Sequence, residues 1–363
     1  MVESSNHILR QRRLFPSLLA FFIICVSQIA VPSPLCAASR GKDLLIVNSY
    51  NESAPWVQDY IIPFMLEATQ NEDLNCSLVH MNSSLIRTDS LYDEVTDGIF
   101  ERFADDKPDF LIIFGSTGFS LMDRVKEEWG DIPALCLGTV DRVIPGERYL
   151  SGDTAFLNVR PTPLADMRER YNFTFVQLPD YLKETIDMMV RMQPGMKKLV
   201  FASDDLGINI LLEKEIRDYI SGKYPGLEYE WLKASSGSRE ELQTYLTNTD
   251  LSIGFLLSTW YYSRTSAFGY PMLVTGDIKL ITTSPRPVFT LKDNYTAAGA
   301  VGGCFFDKQE VLDDVLAVFR RMLSEGDARH IPFYYPPKKY LTVNYKQLLE
   351  DGFDINNVPE GTV

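Results

Sequence analysis

Short continuous apolar runs alternate along the chain with longer segments in which apolar residues recur at helical spacing. Continuous apolar runs are typical of parallel strands covered on both faces, and strand–helix alternation predicts right-handed βαβ units. We expect strands at 43–50, 74–82, 109–115, 132–139, 173–177, 197–203, 227–232, 251–259 and 287–291. We expect helices at 54–70, 91–104, 117–129, 179–193, 208–222, 238–248, 270–283 and 308–325.

One pattern, an apolar strand followed by a polar turn and an amphipathic helix, opens two separate parts of the chain. It reads D-L-L-I-V-N-S-Y-N-E at 43–52 and K-K-L-V-F-A-S-D-D-L-G at 197–207. Each copy begins an α/β unit, so the pattern predicts two lobes, each with a parallel sheet flanked by helices. Turns at the ends of such strands present unpaired N–H groups, which predicts a ligand cleft between the lobes.

The composition is that of a globular protein with a strong negative charge. The 363 residues are 45% hydrophobic and 23% charged, and the formal net charge is −14. This length accommodates two domains. The negative charge argues against a nucleic-acid partner, because phosphate binding needs a basic surface. Three cysteines follow residue 38, namely Cys76, Cys136 and Cys304. Because their number is odd and they lie in or near apolar runs, we expect buried free thiols.

The first 38 residues have the pattern of a secretory signal. Arginines at 10–13 precede an apolar run at 14–31, and Cys36 and Ala38 suit the −3 and −1 positions of a cleavage site. An uncleaved membrane anchor is the alternative, because the apolar run approaches the length that spans a bilayer. Either way, we expect the rest of the chain to be periplasmic or otherwise extracytoplasmic.

Several segments in a fixed order resemble one known family. They are N-S-Y-N-E-S-A-P-W at 48–56, L-P-D-Y-L-K-E-T-I-D-M-M-V-R-M-Q-P-G-M-K-K-L-V-F-A-S-D-D at 178–205, G-A-V-G-G at 299–303, G-D-A-R-H-I-P at 326–332 and V-N-Y-K-Q-L-L-E-D-G-F-D at 343–354. In order and spacing they resemble type I periplasmic binding proteins, the substrate-binding proteins of ABC transporters. The resemblance is narrower still to the versions that form extracytoplasmic sensor regions of bacterial sensor histidine kinases.

The resemblance implies two lobes joined by chain crossings near 173, 286 and 330. Lobe 1 is expected at 41–172 plus 286–329, lobe 2 at 173–285 plus 330–355, and an exit segment at 356–363. It also implies that the helix at 308–325 returns to cover the sheet of lobe 1.

The function that the resemblance implies is the binding of a small molecule between the lobes, with ligand-induced closure as the signal. The partner would be a membrane-linked signalling protein, a sensor histidine kinase of a two-component system. A free solute-binding protein that serves an ABC transporter is the alternative, and an exported carbohydrate-active enzyme is a third. No cofactor is expected, and a homodimer is an open alternative to a monomer.

Polar and aromatic residues in the turns after predicted strands are the candidate ligand contacts. They are Ser49, Tyr50, Asn51, Trp56, Gly115, Ser116, Thr117, Thr139, Asp141, Asp204, Ser258, Trp260, Tyr261 and Asp293. Each group also has a purely structural interpretation. Turn residues can cap helices, an acid can stabilise a helix N-terminus, and the aromatic residues at 260–261 can pack in the core. No metal site is expected.

Motifs of enzymes are missing from the sequence. Only His80 and His330 follow the signal, and no G-x-S-x-G, H-E-x-x-H or C-x-x-C occurs. Acidic residues are abundant, which leaves a carboxylate-pair hydrolase open, but nothing singles out one pair. We therefore expect this segment to have no catalytic activity.

Overall fold

A computed structural model describes residues 41–71, 73–86, 88–143, 162–204, 207–234, 239–260, 262–264, 271–273 and 284–363. Within these ranges, a first sheet has five parallel strands in the order β2-β1-β3-β4-β5. They are β1 (Lys42–Asn48), β2 (Leu74–His80), β3 (Phe110–Phe114), β4 (Ala134–Gly138) and β5 (Phe173–Gln177). The predicted signal at 1–38 lies outside the described residues.

A second sheet has six described strands in the order β11-β10-β9-β8-β6-β7, and only the β10–β11 pair is antiparallel. They are β6 (Lys198–Ser203), β7 (Glu228–Lys233), β8 (Ile253–Leu257), β9 (Phe289–Thr290), β10 (Gly302–Phe305) and β11 (Tyr340–Val343). The prediction of two α/β lobes with mainly parallel sheets is confirmed. Below, lobe 1 and lobe 2 denote the first and second sheets with the helices that pack on them.

Helices cover both faces of each sheet, which explains why the strands are continuous apolar runs. The α-helices are α1 (Ile62–Ala68), α2 (Asp89–Arg102), α3 (Ser116–Phe119), α4 (Met122–Arg124), α5 (Leu182–Met192), α6 (Gly207–Lys223), α7 (Arg239–Thr247), α8 (Asp293–Ala297), α9 (Lys308–Glu325) and α10 (Tyr345–Glu350). Single π-helical turns at Val57–Ile61 and Val125–Trp129 precede α1 and follow α4, and 3-10 turns lie at Ser83–Leu85, Leu164–Met167 and Ile355–Asn357.

Two short antiparallel ribbons lie outside the main sheets. One pairs Arg142–Val143 with Thr162–Pro163, and the other pairs Tyr262–Arg264 with Pro271–Leu273. The predicted helix at 270–283 is therefore wrong at 271–273, and its remaining residues lie outside the described part of the chain. Pro271 and Gly269 near its start disfavour a helix there.

The chain crosses between the lobes three times, at positions that correct the predicted boundaries. Strand β5 belongs to lobe 1, so the first crossing lies at 178–181 rather than at 173. Strands β9 and β10 belong to lobe 2, so the second crossing lies at 306–307 rather than near 286. The third lies at 335–339, because Tyr334 N still donates to Phe175 O of β5 at 2.8 Å.

Tyr181 connects these three crossings. It has a left-handed backbone with φ of 37°, and its hydroxyl donates to Lys338 O at 3.1 Å. Its ring lies 6.4 Å from that of Phe306. One side chain on the first crossing thus contacts the other two, which places it at the pivot of any relative movement of the lobes.

Helix α9 returns to lobe 1, as predicted. Its buried residues, which include Val315, Phe319 and Met322, share a cluster with Leu44 and Ile46 of β1. The side chain of Asp307 begins the helix by accepting from the N–H groups of Gln309 and Glu310, each at 2.9 Å. Lobe 1 is therefore discontinuous in sequence.

The last segment does not lead away from the fold. Val363 N donates to Leu341 O at 2.8 Å, and Val343 N donates to Val363 O at 3.0 Å. The segment predicted as an exit, 356–363, thus turns back onto β11 at Val363. In the described part of the chain, no helix combines the length and apolar character needed to cross a membrane.

The prediction of buried free thiols is confirmed for two of the three cysteines. All three are free thiols, with Cys136 and Cys304 buried and Cys76 partly buried. Burial in apolar surroundings raises the pKa of Cys136 and raises that of Cys304 to about 12. Both side chains are therefore uncharged packing residues at neutral pH.

Candidate functional site

A cavity of about 160 Å³ lies where the carboxyl ends of strands from both sheets approach each other. Its described lining consists of the ends of β1, β4, β5, β8, β9 and β10 and the turns after them, the π-helical turn at 57–61, and the first turns of α6, α8 and α9. These residues are Tyr50, Ala54, Pro55, Trp56, Asp59, Tyr60, Thr139, Leu178, Pro179, Asp180, Ile208, Ser258, Thr259, Leu291, Lys292, Asp293, Asn294, Phe305, Phe306 and Lys308. Strand ends of parallel sheets are the usual ligand sites of α/β folds.

Aromatic side chains form one wall. The rings of Tyr50 and Trp56 lie 4.7 Å apart at a tilt of 55°. Tyr60 follows one helical turn later, and Phe305 and Phe306 come from lobe 2 and the second crossing. The π-helical turn at 57–61 brings Trp56 and Tyr60 to the same face, because residues four apart lie near each other on a helix. The wall offers apolar faces for a small molecule.

Charged side chains from both lobes meet across the cavity. Lys308 Nζ lies 2.8 Å from Asp59 Oδ2 in lobe 1 and 2.8 Å from Asp293 Oδ2 in lobe 2. Lys292, after β9, forms an ion pair with Asp180, after β5. Burial alone would lower the pKa of Lys308, but hydrogen bonds to the two carboxylates outweigh it and raise that pKa. The Lys308 group bridges the two lobes, and the Lys292–Asp180 pair joins lobe 2 to the first crossing.

Several polar atoms in the walls are buried without a hydrogen-bond partner among the described residues. They are Trp56 Nε1, Tyr60 Oη, Asp180 Oδ2 and Ser258 Oγ. Burial, and then the charges of Asp293 and Asp59, raise the pKa of Tyr60, so its hydroxyl stays protonated and can donate. Unsatisfied buried polar groups cost free energy, which is why they mark strained or functional places.

No protein-family model and no curated protein matches the chain. Among solved structures, the open, ligand-free substrate-binding protein CD0873 of Clostridium difficile matches 88% of this chain and 98% of its own, with a TM-score of 0.56 at 13% identity. The chain has the type I periplasmic-binding-protein fold.

Further structures match this fold to a similar extent. A Streptococcus pneumoniae ABC domain in complex with L-Trp matches 87% of this chain and 96% of its own, with a TM-score of 0.55 at 10% identity. A carbohydrate transporter solute-binding protein from Agrobacterium radiobacter, in complex with D-arabinose, matches 84% of this chain and 95% of its own, with a TM-score of 0.52 at 12% identity. At such identities the likeness establishes the periplasmic-binding-protein fold and leaves the ligand open.

Five of the predicted contact residues line the cavity of this binding-protein fold. They are Tyr50, Trp56, Thr139, Ser258 and Asp293, and they come from both lobes. Seven others do not line it, namely Ser49, Asn51, Gly115, Thr117, Asp141, Asp204 and Trp260. The side chains of Ser116 and Tyr261 lie outside the described part of the structure.

The predicted contact residues of lobe 1 that do not line the cavity instead stabilise turns of that lobe. Ser49 Oγ accepts from Gly118 N at 2.8 Å, and Asn51 Oδ1 accepts from Ser53 N at 3.0 Å. The carbonyl of Thr117 accepts from Ser120, and that of Asp141 accepts from Leu164 N in the first short ribbon. Turn formation therefore explains the side chains of Ser49 and Asn51, while Thr117 and Asp141 contribute to their turns through backbone carbonyls.

In lobe 2, Asp204 and Trp260 are also structural. Asp204 Oδ1 accepts from Asn209 Nδ2 at 2.6 Å and from Thr259 Oγ1 at 3.1 Å, so it fixes the turn that carries Thr259. Trp260 is 1% exposed and packs in the core with Leu257 and Val288. Trp260, predicted as a ligand contact with core packing as the alternative, is a core residue outside the cavity lining.

Four of the five charged residues in the described cavity lining were not predicted from the sequence, although one signal was present. Asp59, Asp180, Lys292 and Lys308 lie on a helix, on crossings or beside short strands, and each finds its partner far along the chain. Asp180 follows the predicted strand at 173–177 within the tripeptide L-P-D, which is a polar turn of the kind used elsewhere. The same rule applied there would have found it.

Gly115 holds the aromatic wall in place. It has a φ of 95°, and a Cβ atom added there would lie 2.8 Å from Ser49 Oγ and 2.9 Å from the ring of Tyr50. The turn after β3 thus packs directly on the turn after β1. A glycine is required both for the backbone conformation and for the close approach.

Replacing Gly115 by Ala should therefore destabilise the protein more than the same change at Gly130. Gly130 has a similar φ of 92° but nothing within 4 Å of the added Cβ, so it is a matched control for backbone strain. We expect the free energy of unfolding to fall by about 1–2 kcal/mol in Gly130→Ala and by roughly a further 1 kcal/mol or more in Gly115→Ala. Urea unfolding measures both, and equal losses would contradict the packing described for Tyr50.

No group of His, Cys, Asp and Glu side chains in the described ranges has the arrangement of a metal site. His80 lies away from the cavity, with Nδ1 2.8 Å from Asn48 Nδ2. Burial lowers the pKa of His80, against a smaller opposing effect of Glu52, so the ring is neutral at pH 7. The cavity chemistry is that of hydrogen bonding, ion pairing and aromatic contact.

Proposed function

We propose that this chain is an exported receptor that binds a small solute in the cavity between its two lobes. One observation carries the proposal: the lining comes from strand-end turns of both lobes. A solute held there contacts both lobes at once, so it favours the arrangement in which they are closed. The three crossings, with Tyr181 in contact with each, are the natural hinge.

The proposal includes the lack of catalytic activity. The cavity lining has neither a histidine nor a cysteine among its described residues, and each aspartate in it belongs to an ion pair. Each of these carboxylates is therefore already engaged by an ammonium group rather than placed beside a nucleophile or a second acid–base group. The matched structures are described as binding proteins, which supports the same interpretation.

Thermal unfolding of the purified protein in the presence of a solute panel tests this proposal. The panel contains the standard amino acids, common monosaccharides, small amines and small carboxylic acids. A solute at a hundred times its dissociation constant should stabilise the protein by about 2.7 kcal/mol. A panel in which no member raises the melting temperature would argue against a small-solute receptor.

Two settings are open for this receptor. The sequence resemblance at 178–205 and 299–303 favours the sensor region of a two-component histidine kinase, which would transmit lobe closure to a membrane-linked signalling partner. The description of the Agrobacterium protein favours delivery of solute to an ABC transporter. Reading the gene beyond the codon for Val363 tests this. A continuous frame that encodes a membrane helix and a kinase supports the sensor, and a stop codon with adjacent transporter genes supports delivery.

Export by a cleaved signal is part of the proposal. The basic and apolar regions before Ala38 support it. Mass spectrometry of the protein isolated from the extracytoplasmic fraction should find an N-terminus at Ser39. A chain that retains its first 38 residues would instead indicate a membrane anchor.

A further inference from the structure

The described cavity lining has more negative than positive side chains, and both of its ammonium groups already form ion pairs. Among the described lining residues, three carboxylates face two ammonium groups, and none is an arginine. Lys308 is held by Asp59 and Asp293, and Lys292 by Asp180. An anionic solute would therefore have to break an existing ion pair, whereas a cation would balance the surplus negative charge.

Asp180 is a cavity carboxylate with one oxygen that can still accept a hydrogen bond. It is 8% exposed, and only Oδ1 takes part in the ion pair with Lys292. Oδ2 is buried and has no hydrogen-bond partner among the described residues. An ionised carboxylate can accept about four hydrogen bonds, so Oδ2 is a strong acceptor that lacks a donor.

The aromatic wall adds a second feature that suits a cation. The rings of Tyr50 and Trp56, each with two π faces, belong to residues that line the same cavity. Such faces attract ammonium groups, most strongly at tryptophan and in places shielded from water. A neutral hydroxyl could satisfy Asp180 Oδ2, but it would gain nothing from the surplus charge or from the rings.

We propose that the solute carries a protonated amine and that Asp180 is the residue that binds it. This inference rests on the proposed receptor function and names the chemical class of its ligand. The amine donates to Asp180 Oδ2 while the rest of the solute lies against the aromatic wall.

The test uses sets of compounds that share a scaffold and differ in one group. Tyramine, tyrosol and 4-hydroxyphenylacetate carry an amine, a hydroxyl and a carboxylate, and glucosamine, glucose and glucuronate do so on a sugar. All six join the solute panel, and isothermal titration measures the affinity of every hit and of its charge variants. We expect the amine to bind roughly ten times more tightly than its neutral counterpart, and the carboxylate to bind most weakly.

Two variants assign this preference to Asp180. Asp180→Asn should weaken amine binding roughly ten- to a hundredfold, as is typical when a charge-assisted hydrogen bond is lost, and should leave neutral compounds nearly unaffected. Lys292→Gln releases Asp180 from its ion pair and should tighten amine binding. A misfolded variant cannot bind more tightly, so the opposite signs separate recognition from damage to the fold.

The outcomes also separate this inference from the receptor function. If the hits are neutral or anionic solutes, or if Asp180→Asn binds the amine as the wild type does, the amine inference is overturned and the receptor stands. If no compound of any class binds, the receptor function itself fails.

Discussion

Replacing Phe319 by Ala is expected to destabilise the protein by about 3–5 kcal/mol, the usual cost of truncating a buried phenylalanine. Phe319 is 2% exposed, and its ring meets that of Phe64 edge-on at a centroid distance of 4.8 Å. It lies on α9, which follows two strands of lobe 2 but packs on lobe 1. Urea unfolding measures the loss.

Which strands lose hydrogen-exchange protection in Phe319→Ala tests the discontinuity of lobe 1 more sharply than the size of the loss in stability. Hydrogen exchange followed by mass spectrometry should show faster exchange in peptides that cover β1 and β3 of lobe 1. Arg321→Ala, on the exposed side of the same helix, is the control and should change stability by no more than about 0.5 kcal/mol. Loss of protection confined to β6 and β8 would mean that α9 supports lobe 2 instead.

Replacing Trp56 by Ala should lower the affinity for any solute of the panel that binds, by roughly thirtyfold or more. Trp56 lies beside Tyr50 in the cavity wall, with the ring centroids 4.7 Å apart, and tryptophans that are hot spots of a binding site typically contribute about 2 kcal/mol or more to binding. Its indole N–H is also one of the buried donors without a partner in the described structure. Isothermal titration gives the affinity directly.

Trp231→Ala is the matched control for this change. Trp231 lies on the edge strand β7, outside the cavity lining, and its Nε1 donates to Ser203 Oγ at 2.9 Å. The control should cost stability but leave the affinity unchanged. If Trp56→Ala folds and binds as the wild type does, the aromatic wall is not the binding surface.

The sequence predicts the strands well because their signal is local. The run F-L-I-I-F of β3 is buried at every position, and a strand covered on both faces needs no alternation. The return of α9 to lobe 1 was also predicted, but from resemblance rather than from periodicity. An apolar helical face indicates burial without indicating which of two sheets it covers.

The lobe boundaries are harder to predict from the sequence, because they depend on which strands pair with each other. Strand β5 looks the same whether it pairs with β4 or begins a new sheet, and β9 has only two residues. Pairing between distant segments is a tertiary property that a single sequence does not encode locally. The predicted boundaries at 173 and 286 were therefore wrong, although the three crossings exist.

The cavity residues also divide into those that the local sequence predicts and those that depend on the tertiary fold. Tyr50, Trp56 and Ser258 could be predicted, because they follow apolar strands directly. Trp260 followed the same rule and is a core residue, since an aromatic residue after a strand suits either place. The ion pairs of Lys308 could not be predicted, because Asp59 and Asp293 come from opposite parts of the chain and meet only in the folded protein.

The most direct test of a solute bound between two lobes is a crystal structure of the protein with the panel member that raises its melting temperature most. We predict the solute in the cavity, in contact with Trp56 from lobe 1 and with Lys292 or Asp293 from lobe 2. A solute bound on the surface of one lobe, with the cavity between the lobes left unchanged, would contradict the account.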